Sequence, residues 1–225
     1  MTGIVGCEES QAVAKAFRAR GHEFYSCDLQ ECSGGKPEWH IKDDIRNVIF
    51  KRNWDIVIGH PTCTRLANSG VLRLYVNGKK GNGIDPVKWK EMQDAAEFFK
   101  LLWQINCPRV CIENPIPHGY ALDIIGDKYS QIIQPWQFGH PESKATCLWL
   151  KGLPLLKHTN ILTKPVCGHW DNQTPSGQNK LPPDKRGQEG KRAKERSKTY
   201  AGIAEAMADQ WGSLDKIIHP KLTLF

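Results

Sequence analysis

Short apolar runs alternate with helical stretches along the first 150 residues, and no other feature limits the fold as strongly. Residues 4–7 form one apolar run. Residues 11–20 follow, with Val13, Ala14, Ala16 and Phe17 on one helical side. Residues 22–27 read as a second strand, ended by Asp28. Residues 54–59 (WDIVIG) and 109–113 (RVCIE) are apolar enough for strands buried on both faces. Between them, apolar positions 89, 92, 95, 96, 99, 102 and 103 repeat with a helical period. This βαβ alternation predicts an α/β domain with a parallel sheet and flanking helices. A chain of 225 residues holds one such domain comfortably and two only marginally.

The second half changes character. Residues 130–138 and 146–150 read as strands joined by a Gly-His-Pro turn. Residues 152–198 are rich in Gly, Pro, Asn, Gln and Lys, and predict an extended, partly mobile surface excursion. Within it, residues 179–198 carry eight Lys/Arg against three Asp/Glu. Such a run is either a solvated loop or a phosphate-tracking segment. Residues 199–211 recover a helical pattern. The expected layout is an α/β core over residues 1–150, a polar basic excursion over 151–196, a helix over 197–211 that returns to the core, and a tail over 212–225.

Composition narrows the class. No run approaches the roughly 18 apolar residues of a membrane span. The start, Met-Thr-Gly-Ile-Val-Gly, lacks a basic region followed by a long apolar run, so a cytoplasmic protein is expected. The eight cysteines are scattered and include no Cys-x-x-Cys pair, so reduced thiols are expected rather than a disulfide framework. Cys167-Gly-His169 lacks the ligand spacing of a zinc knuckle, and no metal is expected. The net charge of +7 suits an anionic partner without identifying one. Trp136 and Trp149 read as packing residues, and Trp170 as a candidate for stacking on bases.

Open α/β sheets bind ligands at the carboxyl ends of their parallel strands. Three polar groups fall there: Gly6-Cys7-Glu8-Glu9-Ser10, Gly59-His60-Pro61-Thr62-Cys63, and Glu113-Asn114-Pro115. Cys63 follows a buried strand through a turn stiffened by proline, which would hold a thiol at the sheet rim. A thiolate there is a strong nucleophile. Glu113 can hydrogen-bond a ring nitrogen and deliver a proton if burial raises its pKa. Each group also has a plain structural role open to it, as a loop cysteine or a turn acid.

Strand, Pro-x-Cys, helix, strand and then Glu-Asn resembles the DNA cytosine-C5 methyltransferases, whose signatures are a Pro-Cys loop and a later Glu-Asn-Val. Here they read His-Pro-Thr-Cys and Glu-Asn-Pro, and the chain looks like the short members carried by bacteriophages. The resemblance spans roughly residues 3–150 and 196–211. It implies a class I (Rossmann-like) methyltransferase sheet, S-adenosylmethionine as cofactor, and DNA as partner, either a duplex with a flipped cytosine or a single strand. By that resemblance Cys63 adds to C6, Glu113 contacts N3 and the exocyclic amine, and Asn114 holds the loop. Gly6, Cys7, Glu8, Glu9 and Ser10 would wrap the methionine moiety, with Pro61 at the same end. Asp28 would bind the ribose hydroxyls, Asp44 and Ile45 would meet the adenine, and Tyr200 would return to the pocket on the last helix with Ser197. The family's glycine-rich loop carries glutamates here. Its Gln-x-Arg-x-Arg reads Glu142-x-Lys144-x-Thr146, leaving Lys144 as a partial substitute. Residues 151–196 are too few and too polar for a separate recognition domain. Two other readings stay open: C5 modification of a free pyrimidine nucleotide or RNA, and a non-catalytic nucleic-acid-binding relative.

Overall fold

Alternate residues of the apolar runs go to opposite faces of one sheet. Ile4, Val57, Val110, Ile112, Cys147 and Trp149 face one core, while Val5, Ile56, Ile58, Cys111 and Leu148 face the other. In the computed structural model, which describes residues 1–163 and 199–214, these residues belong to a seven-stranded sheet. Its elements run β1 (Thr2–Gly6), α1 (Ala12–Arg18), β2 (Glu23–Asp28), β3 (His40–Lys42), α2 (Ile45–Val48), β4 (Ile56–Gly59), α3 (Pro86–Gln104), β5 (Val110–Pro115), α4 (Gly119–Ile125), β6 (Gln131–Ile133), β7 (Thr146–Lys151) and α5 (Ala201–Gly212).

The strand order is β3-β2-β1-β4-β5-β7-β6. The first five positions are parallel, and β7 and β6 close the edge antiparallel. From β1 the chain goes one way to β2 and β3, then returns to place β4 on the other side of β1. The carboxyl ends of β1 and β4 therefore flank the switch point, where such sheets bind ligands. Helices α2, α3 and α4 cover one face, and α1 and α5 the other. The α/β sheet with flanking helices expected from the sequence is the observed fold.

The differences are local. Residues 130–138 yield only the three-residue β6, because Pro135 has no N–H to donate and starts a single 3-10 turn instead. Strand β3 and helices α2 and α4 are too short or too polar to announce themselves. Residues 152–163 run extended and mostly exposed over the surface, but they are anchored at a few points. Leu156 is buried in the α1/α5 core, Gln131 bonds both backbone groups of Leu156 at 2.8 Å, and Trp211 donates to the Pro154 carbonyl at 3.1 Å. The expectations for residues 164–198, including Cys167, His169, Trp170, Ser197 and the whole basic run, and for the tail beyond residue 214, lie outside the described residues. No helix among the described residues is long and apolar enough to cross a membrane.

Helix α5 is fixed against α1 by Arg20, which pairs with Glu205 at 3.2 Å and Asp209 at 2.6 Å. Its start is fixed by Gly202, where a Cβ would lie 2.0 Å from the Phe138 carbonyl oxygen and where the N–H donates to His140 Nε2 at 2.9 Å. That close approach needs glycine. It carries the preceding Thr199 and Tyr200 to the sheet rim.

Candidate active site

Register decides which side chains meet. Gly6 pairs with Gly59, and Gly59 with Ile112. The next residues, Cys7 and His60 just past their strands and Glu113 still within β5, therefore stand side by side at the sheet rim. The His60 N–H donates to the Gly6 carbonyl at 3.0 Å, and the ring Nδ1 lies 2.8 Å from Glu113 Oε2. Asn114 Nδ2 donates to the Pro61 carbonyl at 2.9 Å. Further bonds lace the two segments together: Asn68 N–H to the Ile116 carbonyl, His118 N–H to the Leu66 carbonyl, and His118 Nε2 to the Arg65 carbonyl. Cys63 sits in this turn with its carbonyl accepting from Leu66 and Ala67, each at 3.0 Å.

Burial divides the cysteines of the described residues into two groups: Cys27, Cys107, Cys111 and Cys147 are buried, and Cys7, Cys32 and Cys63 are half-exposed. Loss of solvation pushes Cys7, Cys27 and Cys147 up to about 12, with nearby carboxylates adding to it at Cys7 and Cys27. Cys107 and Cys111 rise for the same reason. These five stay thiols at neutral pH and are poor nucleophiles.

Glu113 departs from the expected direction. Burial pushes its carboxyl up, but the adjoining His60, the Lys144 ammonium and the Thr199 hydroxyl, which donates at 3.3 Å, outweigh burial and bring it to about 2. Burial alone, the expectation from the sequence, would raise it; the neighbouring cations reverse the direction. For His60, burial alone would lower the pKa; the carboxylates of Glu113 and Glu8 overcome this, against Lys144, and raise it. The Lys144 ammonium also lies 5.8 Å from the Tyr200 ring centre.

Beside this cluster a cavity of about 640 Å³ opens at the switch point. Cys7, Glu8, Glu9, Ser10, Asp28, Asp44 and Ile45 line it, together with His60, Thr62 and Thr199. Leu29, Ile45 and Phe98 supply apolar wall. Gly6 lies behind the wall, where a Cβ would come within 2.8 Å of Ile45. Cys63, Pro61, Glu113 and Asn114 stand at the neighbouring rim and do not line the cavity. Nor does Tyr200, whose hydroxyl donates to Glu142.

The loop after β1 is built without glycines. Cys7 and Gln11 take the left-handed conformation themselves, each at φ 59°, which costs energy in non-glycine residues. Gln11 is locked there by exchanging bonds with the Lys36 backbone at 2.8 and 3.0 Å. Glu8 does not present a free carboxylate to the cavity. It caps α1, accepting from Val13 N–H at 2.6 Å and Ala14 N–H at 3.3 Å. Burial raises it to about 7 although His60 and those two N–H groups oppose the shift. Asp44 caps α2 and pairs with Arg46, which lowers its pKa. Asp28 accepts from Gln30 N–H through one oxygen at 2.9 Å.

Sequence reasoning assigned no role to His60, Thr199 or Phe98. His60 had a signal: it is the first residue past a buried strand, beside the residue numbered next after the facing strand's last apolar position. Thr199 and Phe98 had none, since only the packing of α5 and α3 brings them here. No group of residues among those described can hold a metal ion.

No family model matches the chain, and no curated protein matches it in sequence. Among solved structures, the chain is similar to a candidate DNA modification methyltransferase encoded within an E. coli prophage, at 13% identity and TM-score 0.40 over 67% of this chain and 46% of that one. It is also similar to the methyltransferase EhMeth of Entamoeba histolytica, at 15% identity and TM-score 0.44 over 72% and 57%. A third is the Dnmt2 methyltransferase of S. pombe, at 10% identity and TM-score 0.37 over 68% and 50%. The chain spans about half the length of these structures.

Proposed function

We propose that this protein is a cytosine-C5 methyltransferase that uses S-adenosylmethionine, acts on DNA, and works through a covalent bond from Cys63 to cytosine C6. One observation carries the reading: the half-exposed Cys63 turn is tied, through Asn114 and His60, to a buried carboxylate beside a small-molecule cavity. Nucleophile, ring-nitrogen partner and donor pocket are the three parts this chemistry needs.

The residues present suit the cofactor. A cavity of about 640 Å³ is of the size that holds small ligands, and its apolar wall of Leu29, Ile45 and Phe98 suits a flat ring. Asp28 keeps one carboxylate oxygen for sugar hydroxyls, and Cys7 to Ser10 wrap the end nearest His60. Bound S-adenosylmethionine supplies an electrophilic methyl group.

The remaining work falls to the chain. Cytosine C5 is a weak nucleophile, and addition of the Cys63 thiolate at C6 converts the ring to an enamine able to attack that methyl group. Glu113 holds the N3 edge, and Asn114 keeps the turn on the β5 end. Lys144 lies within electrostatic reach of Glu113 and can steady the charge that builds at the ring. Within a duplex C6 is out of reach, so the base must leave the stack. The test is incubation with labelled cofactor and DNA, followed by mass analysis of the nucleosides. The expected product is 5-methylcytosine; cofactor binding without 5-methylcytosine on any DNA would overturn the reading.

A further inference from the structure

The buried triad Glu8, His60 and Glu113 holds a question the reading above leaves open. As Cys63 adds to C6, the electron pair displaced through the ring arrives at N3, which must gain a proton. Glu113 is the group beside it, yet its carboxyl is held ionised by His60, Lys144 and Thr199. An ionised carboxylate accepts hydrogen bonds and has no proton to give. The neighbour placed to hold that proton is the imidazole: His60 Nδ1 lies 2.8 Å from Glu113 Oε2, with each side chain only 11% exposed, and the Glu113 carboxylate favours its protonated form. His60 Nε2 is buried and has no hydrogen-bond partner among the described residues. The hydrogen-bonded exit for the His60 proton is thus Nδ1, toward Glu113.

We propose that His60 is the proton source of this site, acting through Glu113 on the N3 position of the pyrimidine. This rests on the cytosine-C5 reading. As the Sγ–C6 bond forms, Nδ1 releases its proton to the carboxylate. The carboxyl, now neutral, turns about its Cγ–Cδ bond and passes the proton to N3, leaving a neutral imidazole. After the methyl group is on C5, a base removes the C5 proton, the C5–C6 double bond re-forms and the thiolate leaves. N3 then returns its proton to Glu113 and so to His60, and the pair ends as it began. His60 does not touch the substrate; it sets the protonation of the residue that does.

The groups facing this pair are known. Glu113, from β5, and after it Glu8, from the loop after β1, favour the protonated imidazole. Lys144, from the turn before β7, opposes that and favours ionised Glu113, and Thr199, before α5, donates to the same oxygen as His60. Cys111, within β5, stays a thiol.

The experiment has two arms. In the free protein, the imidazole resonances of His60 are followed against pH in wild type and in Glu113→Gln. The expected result is a protonated ring at neutral pH in wild type and a neutral one in the variant. A neutral ring in wild type overturns the proposal whatever the substrate. The second arm measures covalent complex formation on duplex DNA carrying 5-fluorocytosine, with S-adenosylmethionine, across pH. Wild-type rates should be level on the acid side and fall as His60 deprotonates. In His60→Asn the rate at neutral pH should drop by about 10²-fold, the usual scale of general-acid help. It should also recover toward acid, because Glu113, without the imidazole beside it, must now collect its own proton. His60→Gln should behave alike if His60→Asn folds poorly. A loss equal at every pH would mark His60 as merely structural and overturn the proposal. A wild-type protein that forms no complex on any DNA overturns the cytosine-C5 reading itself, a result distinct from either.

Discussion

The turn at residues 60–63 and the loop at residues 7–11 leave neighbouring strands at one rim of the sheet, but they are held in opposite ways. The turn is stiffened from within by Pro61 and pinned to the next strand end by Asn114 Nδ2 on the Pro61 carbonyl and by His60 Nδ1 on Glu113. The loop lacks the glycines its path would favour. Cys7 and Gln11 adopt left-handed backbone themselves, and bonds from a segment more than twenty residues away hold Gln11 there. The turn shows how a half-exposed thiol is held at the sheet rim. The loop shows that a cavity wall can be made from carboxylates when one of them, Glu8, does a helix cap's work.

The comparison can be broken at the turn first. Cys63→Ser should remove methyl transfer by on the order of 10³-fold or more, the scale expected when a nucleophile is lost. DNA affinity and the thermal transition should hardly move; a filter-binding titration and a melting curve check both. Cys63→Ser with near wild-type turnover would place the chemistry elsewhere. Asn114→Ala comes next. It leaves the buried Pro61 carbonyl without its partner, for about 1–3 kcal/mol of stability in urea titration. Activity should fall further than stability explains, because the turn loses its tie to β5.

At the loop, the effects are smaller and depend on pH. The folded Glu8 carboxyl titrates near 7 against 4.5 for an ordinary one, chiefly because it is buried. An acid raised on folding binds more protons when folded, so wild type should lose stability relative to Glu8→Gln as pH climbs from about 4.5 through about 7. Glu113, lowered to about 2, works the other way: the stability it contributes is present above 4.5 and lost as pH falls toward 2. Urea midpoints of wild type and Glu8→Gln across that range separate the two. Smallest of all, Gly6→Ala should weaken cofactor binding a few-fold in calorimetry, since the new Cβ presses on Ile45 in the cavity wall at 2.8 Å.

How much of this could be read from the chain follows the same division. Strands β1, β4, β5 and β7 carry apolar runs because both faces of the sheet are covered, and that pattern is visible without coordinates. The three polar groups at strand ends are visible for the same reason. The His60–Glu113 pair was not, because it depends on register: only with Gly59 opposite Ile112 do the next residues stand side by side. The direction of the Glu113 shift was missed with it, since burial without a neighbouring cation would have raised the pKa. The anchoring of residues 152–163 was not legible, because Leu156 is buried while Leu155 and Ile161 are exposed and no period separates them, and the anchoring bonds are made to β6 and α5 rather than within the stretch.

The central claim is that Cys63 bonds to the substrate ring. Duplex DNA carrying 5-fluorocytosine tests it directly, because a fluorine at C5 cannot leave as a proton does and the covalent complex is trapped. After incubation with S-adenosylmethionine and proteolysis, the account expects one modified peptide, containing Cys63, with the added mass of a methylated fluoropyrimidine nucleotide. A trapped complex on another cysteine, or methylated DNA with no covalent complex at any stage, would contradict it.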